Sequence, residues 1–321
     1  MLGIVIPAYK RQDCLREALD SLTLQTVKDF EVIVVDDHSP EPLEYCVNEY
    51  RNKLNITYFY AEKNGGPGAA RQIGLNYCYE KNFTYVMFLD SDDLYFPHTV
   101  ERLLYEIEKT GSDFVSAAIW QEVGPHSGAK IESSNQTWLH GKIYRISYLQ
   151  ENEIVFPPIK TNEDVTFNLT VMECSSKKGY LDEPLYLFRL QKNSLTKQPN
   201  APMGMISSDY ISSIYYVAKY MKERFGTITE QILIDIYAIY NFYQVGKAFD
   251  LITPEVIEHT KYLIYLPEFL SSLTDVESLG KYVGIANQYA IHENKIFYFN
   301  QTFIDWLGEF GVEFKNENSS N

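Results

Sequence analysis

The first 120 residues alternate between short apolar runs and segments long enough to form helices. Continuous apolar runs of this length are typical of parallel strands buried on both faces, with the intervening segments as helical crossovers. Such a sheet places its ligand site beyond the carboxyl ends of the strands. The pattern therefore predicts an α/β fold with strands at residues 3–7, 31–36, 56–61, 85–89 and 114–120.

The alternation does not continue to the end of the chain. Residues 124–136 are rich in Gly, Ser, His and Lys, which predicts a loop, and a Pro/Asn/Gly stretch at residues 197–204 predicts a linker. The later pattern is helical, with Thr227 and Thr253 at the spacing of helix N-caps. We therefore expect two domains, an α/β domain over residues 1–198 and a helical region over residues 199–321.

The charge balance excludes several classes of partner. Lysine and arginine number 28 against 43 aspartates and glutamates, which gives a net charge of −15. General binders of nucleic acid or anionic membranes need a surplus of basic residues. No apolar run approaches the roughly 18 residues of a transmembrane helix, and the N-terminus lacks the basic segment of a signal peptide. The composition predicts a cytoplasmic protein without a nucleic-acid partner.

Two of the predicted strands end in acidic clusters. Asp36 and Asp37 follow the second run, and an Asp-Ser-Asp-Asp sequence at residues 90–93 follows the fourth. Carboxylates beyond a buried strand are costly unless they are solvated, paired or bound to a ligand. Either cluster alone would suit a helix cap, but a parallel sheet brings both to one edge. Asp-x-Asp spacing suits Mg²⁺ or Mn²⁺ shared with substrate phosphates.

Four motifs occur in a fixed order in this half of the chain. They are residues 4–9 (IVIPAY), 34–39 (VVDDHS), 65–71 (GGPGAAR) and 88–93 (FLDSDD). In this order they resemble the nucleotide-sugar half of the family-2 glycosyltransferases, which have the GT-A fold. The sequences at residues 162–164 and 189–196 resemble later motifs of that family. The likeness covers residues 1–198 and implies a Rossmann-like, mostly parallel sheet flanked by helices.

The resemblance implies a nucleotide pocket at the first two strand ends. Pro7, Ala8 and Tyr9 would line the pocket for the base. Asp37 would accept a hydrogen bond from the imide N–H of uracil, if the donor is a uridine nucleotide. Arg71 would lie beside the base or the phosphates.

The resemblance also implies how the diphosphate and the acceptor are handled. Asp90 would hold the ribose, with Ser91 in the same binding set, and Asp92 would ligate the Mn²⁺ or Mg²⁺ that bridges the diphosphate. Arg189 would add positive charge near the leaving group. Asp164 would be the general base that removes the acceptor proton.

The chain departs from the family pattern at two positions. Lys10 stands where the family often has asparagine, and Gln191 stands near the position of a histidine that completes the metal shell in several relatives. The metal would then keep an extra water or bind more weakly. His140 has two interpretations, a residue of the acceptor site or a structural histidine.

These motifs predict an inverting, metal-dependent transferase that moves a sugar from a UDP-sugar to a hydroxyl of a glycan or another acceptor. One alternative is a sugar-phosphate nucleotidyltransferase, although its glycine-rich, basic loop is absent after Ile4-Val5-Ile6. Another is a catalytically silent nucleotide-sugar binder that recruits partners through the helical region. The tyrosines of that region would suit internal packing, sugar stacking or a homo-oligomer surface.

Overall fold

The computed structural model describes residues 1–124, 127–134, 138–159, 161–190, 203–248, 250–274, 281–282 and 303–312. The chain divides into two compact units, Met1–Ser194 and Leu195–Asn321. Gln191 and most of the predicted linker lie outside the described residues. In the part of the chain that is described, no helix combines the length and the apolar character needed to cross a membrane.

The first unit is built on one nine-stranded sheet. Its order is β3-β2-β1-β4-β8-β6-β9-β5, and β7 pairs with β6. The strands are β1 (Leu2–Ala8), β2 (Phe30–Asp36), β3 (Ile56–Tyr60), β4 (Tyr85–Phe88), β5 (Leu94–Tyr95), β6 (Phe114–Gly124), β7 (Ser127–Ile131), β8 (Lys142–Arg145) and β9 (Lys178–Phe188).

The five apolar runs of the sequence all form strands. The first four, β1 to β4, pair in parallel, as their buried and unbroken apolar character predicts. The sheet then becomes mixed, because β8 lies antiparallel between β4 and β6. The predicted loop at residues 124–136 is wrong in part: residues 127–131 form β7, which pairs with the end of β6 in a hairpin. Its polar side chains suit the exposed edge of a sheet.

Helices cover both faces of this sheet and produce two hydrophobic cores. One core holds Ile4, Ile6 and Met87 with the apolar sides of α1 and α4, and the other holds Val5 and Phe88 with α3 and α6. Alternate residues of a strand point to opposite faces, so β1 and β4 each contribute to both cores. The helices are α1 (Gln12–Thr23), α2 (Glu44–Asn48), α3 (Pro67–Glu80), α4 (Thr99–Thr110), α5 (Ile146–Glu151) and α6 (Glu163–Cys174).

The described part of the second unit is helical, as the sequence predicts. Tyr210 stacks on Phe242 with ring centroids 4.1 Å apart, and Tyr240 meets the buried Trp306 at 5.4 Å. These aromatic residues therefore pack helix against helix within the unit. The helices are α7 (Met203–Phe225), α8 (Glu230–Ala248), α9 (Pro254–Ile264), α10 (Pro267–Ser272) and α11 (Phe303–Glu309).

Candidate active site

The turn after β2 holds the glycine-rich entry to α3. Asp37 accepts hydrogen bonds from the backbone N–H groups of Gly65 and Gly66, one on each carboxylate oxygen, both at 2.8 Å. Gly66 has a φ of 85°, a left-handed conformation that suits glycine. Burial raises the pKa of Asp37, and the two N–H groups oppose that rise. The neighbouring Asp36 has a structural role, since its oxygens accept from backbone N–H groups of its own turn.

Arg71 of α3 joins two acidic side chains that come from separate elements. Its Nη2 donates to Asp90, after β4, at 2.6 Å, and its Nη1 donates to Glu163, the first residue of α6, at 2.7 Å. Gly68 permits this approach, because a Cβ there would overlap the side chain of Glu163. Burial and the charge of Asp164 raise the pKa of Glu163 to about 7, against the lowering effect of Arg71. The bridge fixes the start of α6 against the end of β4.

Asp90 also meets His140, which precedes β8. The Nε2 atom of His140 lies 3.0 Å from the second oxygen of Asp90 and 4.0 Å from Asp93. Burial would raise the pKa of Asp90, but Arg71 and His140 hold it well below its usual range. Burial would lower the pKa of His140, but the two carboxylates raise it above its usual value. The surroundings therefore favour a carboxylate paired with an imidazolium.

Asp93 and Arg189 fasten the acidic turn to the end of β9. Asp93 accepts from the hydroxyl of Tyr186 and from the backbone N–H of Arg189, both at 2.8 Å. The Nε of Arg189 donates to the backbone carbonyl of Asp92 at 2.6 Å, and its guanidinium also pairs with Glu17. Burial raises the pKa of Asp93 to about 7, although His140 opposes the rise.

Asp92 has a different environment from the acids on either side of it. Its side chain is 20% exposed and pairs with the guanidinium of Arg11. Arg11 precedes α1 and has a φ of 58°, so a left-handed backbone directs it toward the acidic turn. Burial and the charge of Asp90 raise the pKa of Asp92, and Arg11 opposes that rise. Asp92 and Asp90 are thus the two partly exposed carboxylates of this turn, with side chains 20% and 24% exposed, and each pairs with an arginine.

Asp164 lies in the first turn of α6, beside Glu163. It is half-buried, and among the described residues its carboxylate has no hydrogen-bond partner. Lys142 of β8 lies close enough to feel its charge: burial lowers the pKa of Lys142 to about 7, and Asp164 opposes that shift. The buried Nζ of Lys142 donates to the backbone carbonyl of Trp138. Asp164 therefore faces the site with its oxygens uncommitted to the described residues.

The remaining predicted residues lie at the same edge of the sheet. Pro7 and Ala8 end β1 beside the end of β2, and Tyr9 follows with its ring 40% exposed and Lys10 over its face at 4.9 Å. Ser91 is buried within the acidic turn. The predicted residues thus come from six segments of the chain and meet at one edge.

A divalent cation fits this edge in two ways. Asp90, Asp93 and His140 offer three ligand atoms within 4.8 Å of one another. However, both oxygens of Asp90 and both of Asp93 already accept hydrogen bonds, so an ion among them would have to displace several partners. An ion at Asp92 would displace the cation Arg11. Carboxylates and imidazole are ligands that Mn²⁺ accepts.

The model of the family described as Glycosyl transferase family 2 matches residues 3–185, which is more than half of the chain. The chain belongs to this family. It is a glycosyltransferase, and the match favours this activity over the nucleotidyltransferase alternative.

Named relatives align with about three fifths of this chain. The glycosyltransferase EpsJ of Bacillus subtilis is 26% identical over 225 residues, which cover 63% of this chain and 64% of EpsJ. The poly(ribitol-phosphate) β-N-acetylglucosaminyltransferase TarS of Staphylococcus aureus is 29% identical over 206 residues, 59% of this chain and 35% of TarS. The matched region thus spans about one third to two thirds of these relatives.

Solved structures confirm the GT-A fold of the glycosyltransferase. The crystal structure of S. aureus TarS 1–349 in complex with UDP-GlcNAc has a TM-score of 0.62, with 20% identity over 94% of each chain. A mannosyltransferase from Pyrobaculum calidifontis, in complex with GDP-Man and Mn²⁺, has a TM-score of 0.52, with 12% identity over 91% of this chain and 87% of its own. At these identities the likeness concerns the fold.

The contacts of three side chains of this site were not predicted from the sequence. His140 had two interpretations, in the acceptor site or structural, and no spacing rule connects it to its partner Asp90, 50 residues away. Asp93 was seen only as part of an acidic cluster, and Glu163 only as the neighbour of Asp164. The sequence feature that could have indicated Glu163 is Gly68 in the Gly-Pro-Gly entry to α3, because the absence of a side chain there leaves the space that Glu163 fills.

Proposed function

We propose that this glycosyltransferase moves a sugar from a UDP-sugar to a hydroxyl group of its acceptor, with inversion at the anomeric carbon and with the help of a divalent cation. The observation that carries the proposal is the placement of Asp164. Its uncommitted carboxylate stands in the first turn of α6, which Arg71 ties to the acidic turn after β4. The base and the diphosphate-binding residues would then face each other across one edge of the sheet.

Sugar transfer requires a general base for the acceptor hydroxyl and neutralisation of the negative charge that develops on the leaving diphosphate. Asp164 would take the proton of the acceptor hydroxyl as its oxygen bonds to the anomeric carbon, and the bond from that carbon to the diphosphate breaks. Attack opposite the leaving group inverts the anomeric centre. Arg71 and Glu163 would contribute without touching the acceptor, because their ion pair holds the start of α6, and with it Asp164, in place. UDP leaves with the electron pair of the broken bond and so carries one more negative charge.

A uridine nucleotide is the donor that we favour. The carboxylate of Asp37 uses one acceptor position on each oxygen for the glycine turn, and each oxygen keeps a further lone pair for an imide N–H. The solved TarS complexes, which share this fold, contain UDP-GlcNAc and UDP. These observations support a UDP-sugar and leave the sugar itself open.

A bound Mn²⁺ or Mg²⁺ would supply Lewis-acid stabilisation of the departing diphosphate. We assign Asp92 as its ligand, because both oxygens of Asp90 accept hydrogen bonds from Arg71 and His140, whereas an ion at Asp92 would replace the pairing with Arg11. Asp90 and His140 would act by holding the acidic turn in shape. Arg11 would then move from Asp92 to solvent or to a phosphate oxygen.

The test is release of UDP or GDP from a panel of UDP-sugars and GDP-mannose in the presence of Mn²⁺. We expect turnover of at least one UDP-sugar and none of GDP-mannose. Turnover of GDP-mannose alone would overturn the assignment of uridine. Tight UDP binding without turnover of any donor, even with acceptor glycans supplied, would favour the silent binder.

A further inference from the structure

Trp120 is an exposed tryptophan at the end of β6, on the side of the sheet that carries α3 and α6. Val115, Ala117 and Ile119 of β6 point into the core beneath α1 and α4. Alternation therefore sends Trp120 to the opposite face, the face of Phe114 and of the core under α6. The indole is 40% exposed. No role in the site described above accounts for such an apolar surface.

The strand register places this indole near the acidic turn. Met87 of β4 and Val115 of β6 both pair with Ile143 of β8, so the three residues lie at one level. Asp90 is three residues after Met87, and Trp120 is five after Val115. Trp120 therefore stands about 7 Å further along the strand direction than Asp90 and about 10 Å across two strand spacings. That separation corresponds to the length of a short oligosaccharide.

The indole is held in a fixed orientation. The backbone of Trp120 pairs with Lys130 of β7 on one side and with Leu187 of β9 on the other. The ring lies across Gly128, where a Cβ would overlap the indole nitrogen. A rigid aromatic face with little conformational entropy to lose is a suitable surface for the apolar face of a sugar ring. Tyr180 extends the same open face, with 42% of its surface exposed.

The charges around Trp120 disfavour an anionic acceptor. Lys130, directly across from it, pairs with Asp182 at 2.5 Å and with Glu132 at 3.5 Å. Glu122, two residues along the strand, uses one oxygen to accept from the backbone N–H of Leu190. Among the described residues carboxylates therefore predominate around Trp120, and they would repel a chain of phosphates. An uncharged ring is the ligand that suits this surface.

We propose that Trp120 is an acceptor-binding residue that stacks on a pyranose ring of an uncharged glycan. The inference rests on the proposed transfer reaction, in which the acceptor approaches Asp164 from outside the donor pocket. It names the class of acceptor, a neutral glycan rather than a polyol phosphate.

The binding test uses fluorine NMR of protein labelled with 5-fluorotryptophan, whose three tryptophans give three signals. The W120F variant assigns the signal of Trp120. UDP-bound protein is titrated with neutral disaccharides of glucose, galactose, mannose and N-acetylglucosamine to about 10 mM, which nearly fills a site with a Kd of about 1 mM. We expect at least one disaccharide to shift the Trp120 signal and poly(ribitol phosphate) to leave it unchanged. Shifts by the polymer alone, or by no saccharide, would overturn the proposal.

The kinetic test uses the disaccharide that shifts the signal as acceptor. We expect W120A to raise its KM roughly tenfold while the affinity for UDP stays unchanged. G128A should raise the same KM, because it displaces the indole without removing it. The control is Y105A, which removes a tyrosine that is 55% exposed on α4, over the opposite face. An unchanged KM in W120A would contradict only the proposed role of Trp120 in acceptor binding. Absence of transfer with every donor would contradict the proposed reaction itself.

Discussion

At the scale of single residues, the site is a buried network of paired charges. Asp90 is held between Arg71 and His140, and Arg71 is shared with Glu163. Removing one partner of such a pair leaves an uncompensated buried charge, which costs about 3–5 kcal/mol. The network is therefore better suited to fixing the geometry of α6 and the acidic turn than to changing charge during the reaction.

Lys142 gives a pH-dependent prediction. Burial lowers its pKa to about 7, so above that pH the folded protein binds fewer protons than the unfolded chain does, up to the ordinary lysine pKa near 10.4. The free energy of unfolding of the wild type should therefore rise with pH relative to that of K142M, by about 1 kcal/mol per pH unit between pH 7 and 10. Urea unfolding of both proteins at several pH values measures the difference. A pH-independent difference would show that Lys142 keeps its ordinary pKa.

The sequence predicted the residues of this network unevenly, for a physical reason. Asp37, Asp90 and Asp92 follow apolar strands, so sheet topology alone brings them to one edge. His140 and Arg11 reach the acids through turns whose conformation no pattern encodes; Arg11 depends on a left-handed backbone that arginine seldom adopts. The role of Asp164 as base stays a prediction, since geometry shows where it lies and not what it does.

At the scale of elements, apolar periodicity was a reliable guide and local polarity was not. All five apolar runs form strands. The polar residues 127–131 form β7 because β6 extends past the body of the sheet and offers them an unpaired edge, a tertiary effect that the segment itself does not carry.

Of the two predicted helix N-caps, one is confirmed and one is wrong. Thr253 caps α9, with its side chain accepting from the N–H of Val256 at 3.2 Å, as its neighbour Pro254 predicts. The predicted cap at Thr227 is wrong: α8 begins at Glu230, and Thr229 accepts from the N–H of Ile232 at 3.3 Å. The hydroxyl of Thr227 instead donates to the backbone carbonyl of Ile228 at 3.3 Å, so Thr229 provides the cap.

At the scale of the whole molecule, the net charge of −15 opposes a donor that is itself an anion. Screening limits that repulsion to about 8–10 Å in physiological salt, so the conflict must be resolved within the site. Arg11, Arg71 and Arg189 all lie at the acidic edge, but each is paired with a carboxylate. We therefore expect the proposed donor to need a further positive charge, which a divalent cation would supply.

The metal prediction follows from this balance and from the assignment of Asp92 as the ligand. Calorimetry of UDP binding should give an affinity at least about tenfold higher with Mn²⁺ than with EDTA in the wild type. The D92A variant should lose the effect of Mn²⁺, and H140Q should keep it. The reverse pattern would move the ion to the cluster of Asp90, Asp93 and His140. Equal affinity with and without Mn²⁺ in the wild type would contradict metal dependence altogether.

Turnover by the D164N variant tests the central claim most directly. UDP release from the accepted UDP-sugar, with acceptor and Mn²⁺ present, is compared with that of the wild type and of D13N, which alters an aspartate whose side chain is 97% exposed on α1. We expect D164N to lose about 10²–10⁴-fold in kcat while it binds UDP with unchanged affinity, and D13N to match the wild type. Near wild-type turnover by D164N would contradict the assignment of Asp164 as the base that drives sugar transfer.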